Sequence, residues 1–299
     1  MRRSVAYSVP PDWEGRRVKE FIRQYLRLSS RVLVKQKQAE GGMLKNGLPC
    51  RSVDSLSAGD ILELCFPEEI VAYEPSEGPL PILYEDEDYL IVDKPAHMPV
   101  HPSPGHDRDS LLNRVSYYYR NTGQSPAFRP LYRLDRDTSG LIAIGKHRVA
   151  ASSVQIEKVY YAVCQGTLFG SGTVDMPIGL EPGSKIRRQC AKEGQRAVTH
   201  WKALASNEGY TLVGFRLETG RTHQIRVHMA YLGHPLAGDD LYGGSVKKID
   251  RQALHCGRLS VMCKPLRTHM ASACPFPQDI LHAFPWVEPV LPKQEIELL

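Results

Sequence analysis

Hydrophobic positions change period several times along the chain, and those changes divide it. Between Arg17 and Leu28 the apolar residues Val18, Phe21, Ile22, Tyr25 and Leu26 recur at helical spacing, while Arg16, Arg17, Lys19, Arg23 and Arg27 mostly fall elsewhere. The pattern predicts an amphipathic helix with a basic outer face. Ser29 and Ser30 can cap a second helix from Arg31 to Gln38, with Gly41-Gly42 as its stop. Asn46-Gly47 is a hairpin-type turn after Lys45, and Ala58 to Phe66 alternates as a strand. Pro67 to Pro81 is rich in Pro, Glu, Gly and Ser and has no period, which predicts a linker.

From Ile82 the period is mainly that of strands. Two short apolar strands, Ile82-Leu83-Tyr84 and Tyr89 to Val92, flank an acidic turn, and Lys94-Pro95 ends the second. A proline-studded loop from Met98 to Gly105 leads to a capped helix from Ser110 to Tyr119. A second proline-marked loop follows around Pro126 and Pro130. Leu141-Ile142-Ala143-Ile144 is a strand fed by a polar turn. Glu157 to Gly166 alternates, with Tyr160, Ala162 and Cys164 on one face and Tyr161 and Val163 on the other. Gly194 to Ala205 and Thr211 to Glu218 are further strands, the latter with Val213, Phe215 and Leu217 as its apolar face. Thr222 is the expected N-cap of a helix carrying Ile225, His228, Met229 and Leu232 on one side.

Composition adds little until it is located. The 299 residues allow roughly two domains, and 42% hydrophobic with 24% charged residues is ordinary for a globular protein. No apolar run reaches the roughly 20 residues that span a bilayer, and no secretory segment follows the N-terminal residues, so a cytoplasmic protein is expected. Seven cysteines without a C-x-x-C pair suit neither a disulfide framework nor a zinc site. The net charge of +5 is uneven: residues 1–66 hold 12 Lys/Arg against 7 Asp/Glu, and the remainder holds 26 of each sign. The whole excess therefore sits in the N-terminal quarter, as a polyanion-binding module or a solvated basic face.

Candidate chemistry concentrates in Arg133-Leu-Asp-Arg-Asp-Thr-Ser-Gly-Leu141. Two acids lie among two arginines, and a nearby cation keeps a carboxylate ionised. That makes Asp135 a candidate nucleophile, although Asp135 and Asp137 could equally be turn carboxylates. Downstream, Gly220-Arg-Thr-His-Gln-Ile-Arg226 turns from a strand into a helix start and aims N–H groups and two arginines at one spot, a natural anion site. His223 and His228 are five apart, which points their rings roughly 140° apart on a helix, so no metal site is expected. The chain has neither a G-x-x-x-x-G-K-[ST] phosphate loop nor a dinucleotide fingerprint, and no nucleotide cofactor is expected.

Two resemblances organise these residues. Residues 14–66, with two basic helices and the turns at Lys45-Asn46-Gly47 and Gly59-Asp60, resemble the S4 RNA-binding module, although Arg31-Val-Leu-Val and the Gly-Gly pair depart from its usual wording. Residues 82–290 resemble the RluA family of RNA pseudouridine synthases. The carriers are Arg133 to Leu141, Lys158-Val-Tyr-Tyr-Ala162, Gly220 to His228 and Gly233-His-Pro-Leu-Ala-Gly-Asp239, with Lys94-Pro95, His101-Pro102 and Arg251-Gln-Ala-Leu-His255 in support.

The resemblance implies an α+β chain in three parts. These are an S4-like domain (1–66), a linker (67–81) and a catalytic domain (82–299) built on a mixed, mostly antiparallel sheet with flanking helices. It implies isomerisation of uridine in RNA: the N1 glycosidic bond breaks, the uracil turns, and it is reattached through C5. Asp135 matches the essential aspartate, thought to attack the ribose C1′ or the uracil C6. Tyr160 matches the tyrosine that stacks on the flipped base, and Arg226, in preference to Arg221, the cation paired with the aspartate. Substrate contacts are expected from Arg133, Thr138, Arg221, His223, Gln224 and Leu259, with Arg133 either on the phosphate backbone or holding the loop. Further RNA contacts are expected from Arg17, Arg23, Arg31, Lys35 and Lys45. Ribosomal RNA is expected before transfer RNA, with no membrane, no cofactor and a monomeric protein. Tyr132 stands where the family commonly has histidine, and His97 where glycine is usual. A competing expectation is an RNA-binding assembly factor with a vestigial site. A glycoside hydrolase using Asp135 and Asp137 is disfavoured, because two carboxyls crowded in one turn beside Arg136 do not flank a sugar.

Overall fold

The computed structural model describes residues 3–39, 41–66, 73–124, 127–152 and 154–290. Pro126, the first part of the expected linker (67–72) and the last nine residues of the expected catalytic domain lie outside the described residues.

Residues 3–66 build a four-stranded antiparallel sheet from β1 (Arg3–Ser8), β2 (Met43–Lys45), β3 (Leu48–Pro49) and β4 (Ile61–Phe66), in the order β1-β4-β2-β3. The first strand was not expected; it is short, and its pairing with the whole of β4 is a contact across more than fifty residues. Asn46 and Gly47 both take left-handed backbone angles, φ 52° and 81°, as a two-residue hairpin requires. The expected first helix is α1 (Val18–Glu20) continued by a π-wound turn (Phe21–Tyr25), and the second is α2 (Ser30–Gln38), where Ser29 Oγ accepts the Val32 N–H. Val18, Phe21, Ile22, Leu26 and Val32 are buried with Leu62 and Leu64 of β4, so the helical period marks the inward face. Arg17, Arg23, Arg31 and Lys35 are exposed, whereas Lys45 is half-buried, its Nζ donating to Ser55 O at 3.2 Å and lying 3.7 Å from Asp60.

Residues 73–81 are fastened rather than loose. Asn113 Nδ2 donates to Glu74 O at 2.7 Å, Arg114 Nη1 to Ser76 Oγ at 3.2 Å and Asp93 N to Pro81 O at 2.9 Å. A stretch without period can still be tied down at several points, and composition alone does not reveal that.

The larger sheet is mixed and mostly antiparallel, as expected. It comprises β5 (Ile82–Glu85), β6 (Tyr89–Lys94), β7 (Arg129–Pro130), β8 (Ser139–Gly145), β9 (Val154–Gln165), β10 (Ser171–Asp175), β13 (Val198–Asn207), β14 (Tyr210–Leu217), β15 (Leu254–Cys263) and β16 (Thr268–Ala273). A separate hairpin joins β11 (Ile178–Leu180) to β12 (Arg188–Cys190). The main path runs β10-β13-β14-β9-β15-β8-β6-β5, with β16 on β15 and β7 on β8. Helices α3 (Leu111–Asn121), α4 (Arg148–Ser152), α5 (Gln224–Tyr231) and α6 (Gln278–Ala283) complete it. Among the described residues no helix is long and apolar enough to cross a membrane.

The period of β9 sorts its two faces as expected. Tyr160, Ala162 and Cys164 join the core with Val213 and Phe215, while Val159, Tyr161 and Val163 meet Phe276, Ile280 and Phe284. The strand expected from Gly194 starts only at Val198, because Gln195 instead bridges to Ile178 beside the hairpin. The segment after Arg251 enters the middle of the sheet: β15 lies between β9 and β8, and its pairing of His255 and Cys256 with Ser139 and Gly140 is parallel.

That crossing explains one glycine. Gly140 has φ +112°, and a Cβ there would overlap the backbone of Cys256. Gly140→Ala is expected to destabilise the protein by about 3 kcal/mol or more, combining backbone strain with overpacking. Denaturant unfolding checks this, and a wild-type midpoint would count against it.

Candidate active site

The polar loop between β7 and β8 is clamped from two sides. Lys94, at the end of β6, is fully buried, and its Nζ donates to Pro95 O and Met98 O at 2.8 Å and to Arg136 O at 3.0 Å. Burial pulls the Lys94 pKa down to about 7 against the field of Asp137. Three carbonyls nevertheless accept the full donor set that only an ammonium supplies, so we assign it as charged. From the opposite side, Arg251 Nη1 donates to Asp137 O at 3.0 Å and Nη2 to Ser139 Oγ at 3.4 Å, while Asp279 holds the guanidinium at 2.6 and 3.0 Å. Gln252 Nε2 donates to Thr138 Oγ1 at 3.2 Å, and Thr138 N–H closes the turn on Asp135 O at 3.1 Å.

Asp135 is thereby presented to a cleft of about 390 Å³, whose walls include Tyr160, Lys158, His223 and Arg226. Its side chain is 24% exposed, and Oδ2 accepts from Arg226 Nη1 at 3.3 Å. Arg226 is itself buried and pinned by Asp239, with Nε to Oδ2 at 2.7 Å and Nη2 to Oδ1 at 2.8 Å. The Tyr242 ring lies 5.0 Å from the guanidinium carbon. Burial opposes the Arg226 charge, but the hydrogen bonds to Asp239 and the fields of both carboxylates outweigh it and raise the pKa. The cation therefore stays charged and fixed in direction while Asp135 keeps access to the cleft.

Tyr160 is 6% exposed and lies on the face of β9 that also carries Lys158. The Lys158 ammonium packs 4.2 Å from the Tyr132 ring centre, and burial lowers its pKa. Burial also raises the Tyr132 and Tyr160 phenols, so both remain neutral.

The structure thus brings Asp135, Tyr160 and Arg226 to one cleft, with Arg133 and Arg221 exposed at its edge and Thr138 buried beneath the loop. Gln224 reaches the wall but is spent on the fold. Its Oε1 accepts from Arg221 N and Thr219 Oγ1, and its Nε2 donates to Val198 O and Thr199 Oγ1. Leu259 shares a face with Tyr160 yet is 2% exposed and packed in the core, and the residue of β15 that lines the cleft is Leu254. Thr222 does not cap α5: the N-cap is His223, in left-handed conformation at φ 59°, and the Gln224 side chain captures the Arg221 N–H instead. His223 and His228 look to different partners, Tyr242 and Thr199 respectively. Asp239 and Tyr242 were given no role from the sequence; Asp239 ends one of the stretches that carry the family resemblance, and nothing in that stretch points to Arg226.

Both departures from the family pattern are accommodated. His97 takes φ 61°, the region that favours the glycine usual there, and its ring pairs with Asp137 at 3.1 Å. The Tyr132 hydroxyl donates to Leu141 O at 2.7 Å. Neither side chain occupies the position of Asp135.

Residues 88–231 match the family described as RNA pseudouridylate synthase. The chain is 42% identical over 273 residues to the uncharacterised RNA pseudouridine synthase YjbO of Bacillus subtilis, covering 88% of this chain and 96% of that protein. It is 35% identical over 294 residues to ribosomal large subunit pseudouridine synthase D of Escherichia coli K12, covering 91% of this chain and 85% of that protein. In structure it is similar to human RNA pseudouridylate synthase domain containing 1, with a TM-score of 0.56 and 24% identity over 69% of this chain and 89% of that one, a likeness of fold.

Proposed function

The chain belongs to the RluA family of RNA pseudouridine synthases, and from that premise we propose that it isomerises selected uridines of structured RNA, ribosomal RNA foremost, with Asp135 as nucleophile. The observation that carries this reading is the meeting of Arg226 and Tyr160 in one cleft with Asp135, whose loop is clamped by Lys94 and Arg251. Attack through C1′ or through C6 needs the same thing, an ionised carboxylate held in direction where water is scarce, and the Arg226 guanidinium does that. A uracil inside a helix is out of reach and must be extruded, at a cost of a few kcal/mol; the Tyr160 ring offers it a face to stack on. Uracil leaves and returns: C1′–N1 breaks, C1′–C5 forms, the proton of C5 is lost and N1 gains one. No step requires a metal or cofactor, and positioning with electrostatics suffices.

Within this reading residues 1–66 act as an S4-like RNA grip through Arg17, Arg23, Arg31, Lys35 and Lys45, residues 67–81 as the connector and 82–299 as the catalytic domain of a cytoplasmic monomer. Ribosomal RNA is preferred on two grounds: the similarity to the Escherichia coli large-subunit synthase, and the basic N-terminal surface suited to a large folded polyanion. The test is a map of pseudouridines in the RNA of cells with and without the gene, followed by restoration with purified protein. Loss of one or a few ribosomal pseudouridines is expected. An unchanged map with RNA binding intact would return the assembly-factor reading.

A further inference from the structure

The tautomer of His223, which lines the cleft, follows from its partners. Its Nδ1 lies 2.8 Å from the Tyr242 hydroxyl, and that hydroxyl also accepts the Arg188 N–H at 2.9 Å. A phenol has one proton, and among the described residues its acceptor here is Nδ1. In a neutral ring the imidazole hydrogen then sits on Nε2. Burial holds the His223 pKa below its ordinary value, with Arg226 adding to the effect and Asp135 opposing it. The left-handed backbone at φ 59° is a further sign that this side chain is held in place at some cost.

Nε2 lies 3.9 Å from Asp135 Oδ2, too far for a hydrogen bond and close enough for one atom to touch both. Such an atom must accept from an N–H and donate to a carboxylate. A uracil carbonyl oxygen cannot donate, and a hydroxyl can do both. The hydroxyl beside C1′ of a ribonucleotide is the 2′-OH, which is also the group that tells RNA from DNA.

We propose that the 2′-hydroxyl of the target ribose bridges His223 Nε2–H and Asp135 Oδ2, with Tyr242 as the positioning residue that fixes the histidine tautomer. This rests on the reading of Asp135 above. It assigns the two carboxylate oxygens different work: Oδ2 is shared with Arg226 and the sugar, and Oδ1, which no hydrogen bond reaches among the described residues, faces the reacting carbon.

The experiment uses a synthetic RNA fragment spanning the mapped uridine, made with ribose or with 2′-deoxyribose at that one nucleotide. Wild-type turnover should fall about 10- to 100-fold on the deoxy substrate, the worth of a hydrogen bond to a charged group. His223→Gly keeps the left-handed backbone and removes the ring. It should lose a comparable factor on ribose and then lose less than about threefold more on deoxyribose, because the partner is already gone. His223→Gln, whose amide N–H can reach the Nε2 position, should recover part of the loss. Tyr242→Phe should slow the wild type and have little effect in the His223→Gly background. A deoxy effect equally large in His223→Gly and wild type, or none in wild type, overturns the proposal. If His223→Gly does not fold, the wild-type and His223→Gln arms still decide. An Asp135→Asn arm separates the two claims: an active variant sinks the nucleophile reading, whereas a dead one beside additive sugar effects in wild type and His223→Gly sinks only the bridge.

Discussion

Asn in place of Asp135 is expected to remove pseudouridine formation, lowering turnover by on the order of ten-thousandfold or more, as losses of a catalytic nucleophile do. The substitution is close to isosteric. The Asn oxygen can still accept from Arg226 Nη1, so the loop, held independently by Lys94 and Arg251, has no reason to move. What disappears is the carboxylate charge and its capacity to form a covalent bond. RNA affinity should stay within about threefold, because phosphate contacts dominate such binding and the exposed arginines of the N-terminal helices are untouched. Single-turnover assays on RNA from cells lacking the gene, beside a filter-binding titration, measure both. Turnover above about one per cent of wild type would sink the nucleophile assignment, and a parallel collapse of affinity would show that the variant reports on binding instead.

Asp135 and Asp239 differ in what the sequence says of each. The family resemblance selects Asp135 where the turn reading stays open; the local pattern, acids among arginines before a buried strand, contributes only a candidate, because its neighbours in sequence are its neighbours in the loop. The strand itself was legible for the same reason: Ser139 to Gly145 is buried throughout, and Leu141 to Ile144 is a continuous apolar run. The faces of β9 were legible from period two alone. Asp239 is defined by a bidentate contact with Arg226 thirteen residues away, and Tyr242 by a hydrogen bond to His223 nineteen residues away, both made by a turn-rich stretch that carries no period. The parallel crossing of β15 on β8 spans 116 residues between Ser139 and His255, and nothing local announces it. Gln224 shows the opposite failure. A residue inside a functional motif looked like a substrate contact, and only counting its partners shows that its amide has nothing left to offer.

Asp239→Ala is expected to be the most damaging change outside Asp135. The Asp239 side chain is 0% exposed and that of Arg226 8%, and the pair is joined by two hydrogen bonds of 2.7 and 2.8 Å. Removing one partner of a buried ion pair leaves the other charge uncompensated, at a cost of roughly 3–5 kcal/mol. The melting temperature should fall by on the order of 10 °C. Activity should fall by at least about a hundredfold, because the freed guanidinium is expected to swing onto Asp135 as its sole carboxylate and cover the oxygen it now leaves free. These two effects separate in a double variant. Arg226→Met with Asp239→Leu replaces the pair by apolar side chains of similar reach and should regain most of the lost stability, since desolvated ion pairs are commonly matched by good packing. It should regain no turnover, because Asp135 then has no cation. Denaturant unfolding and single-turnover rates on the same three proteins decide the matter. A double variant that is both stable and active would mean that Arg226 serves the fold and not the reaction, and the pairing that defines this site would have to be sought with Arg221.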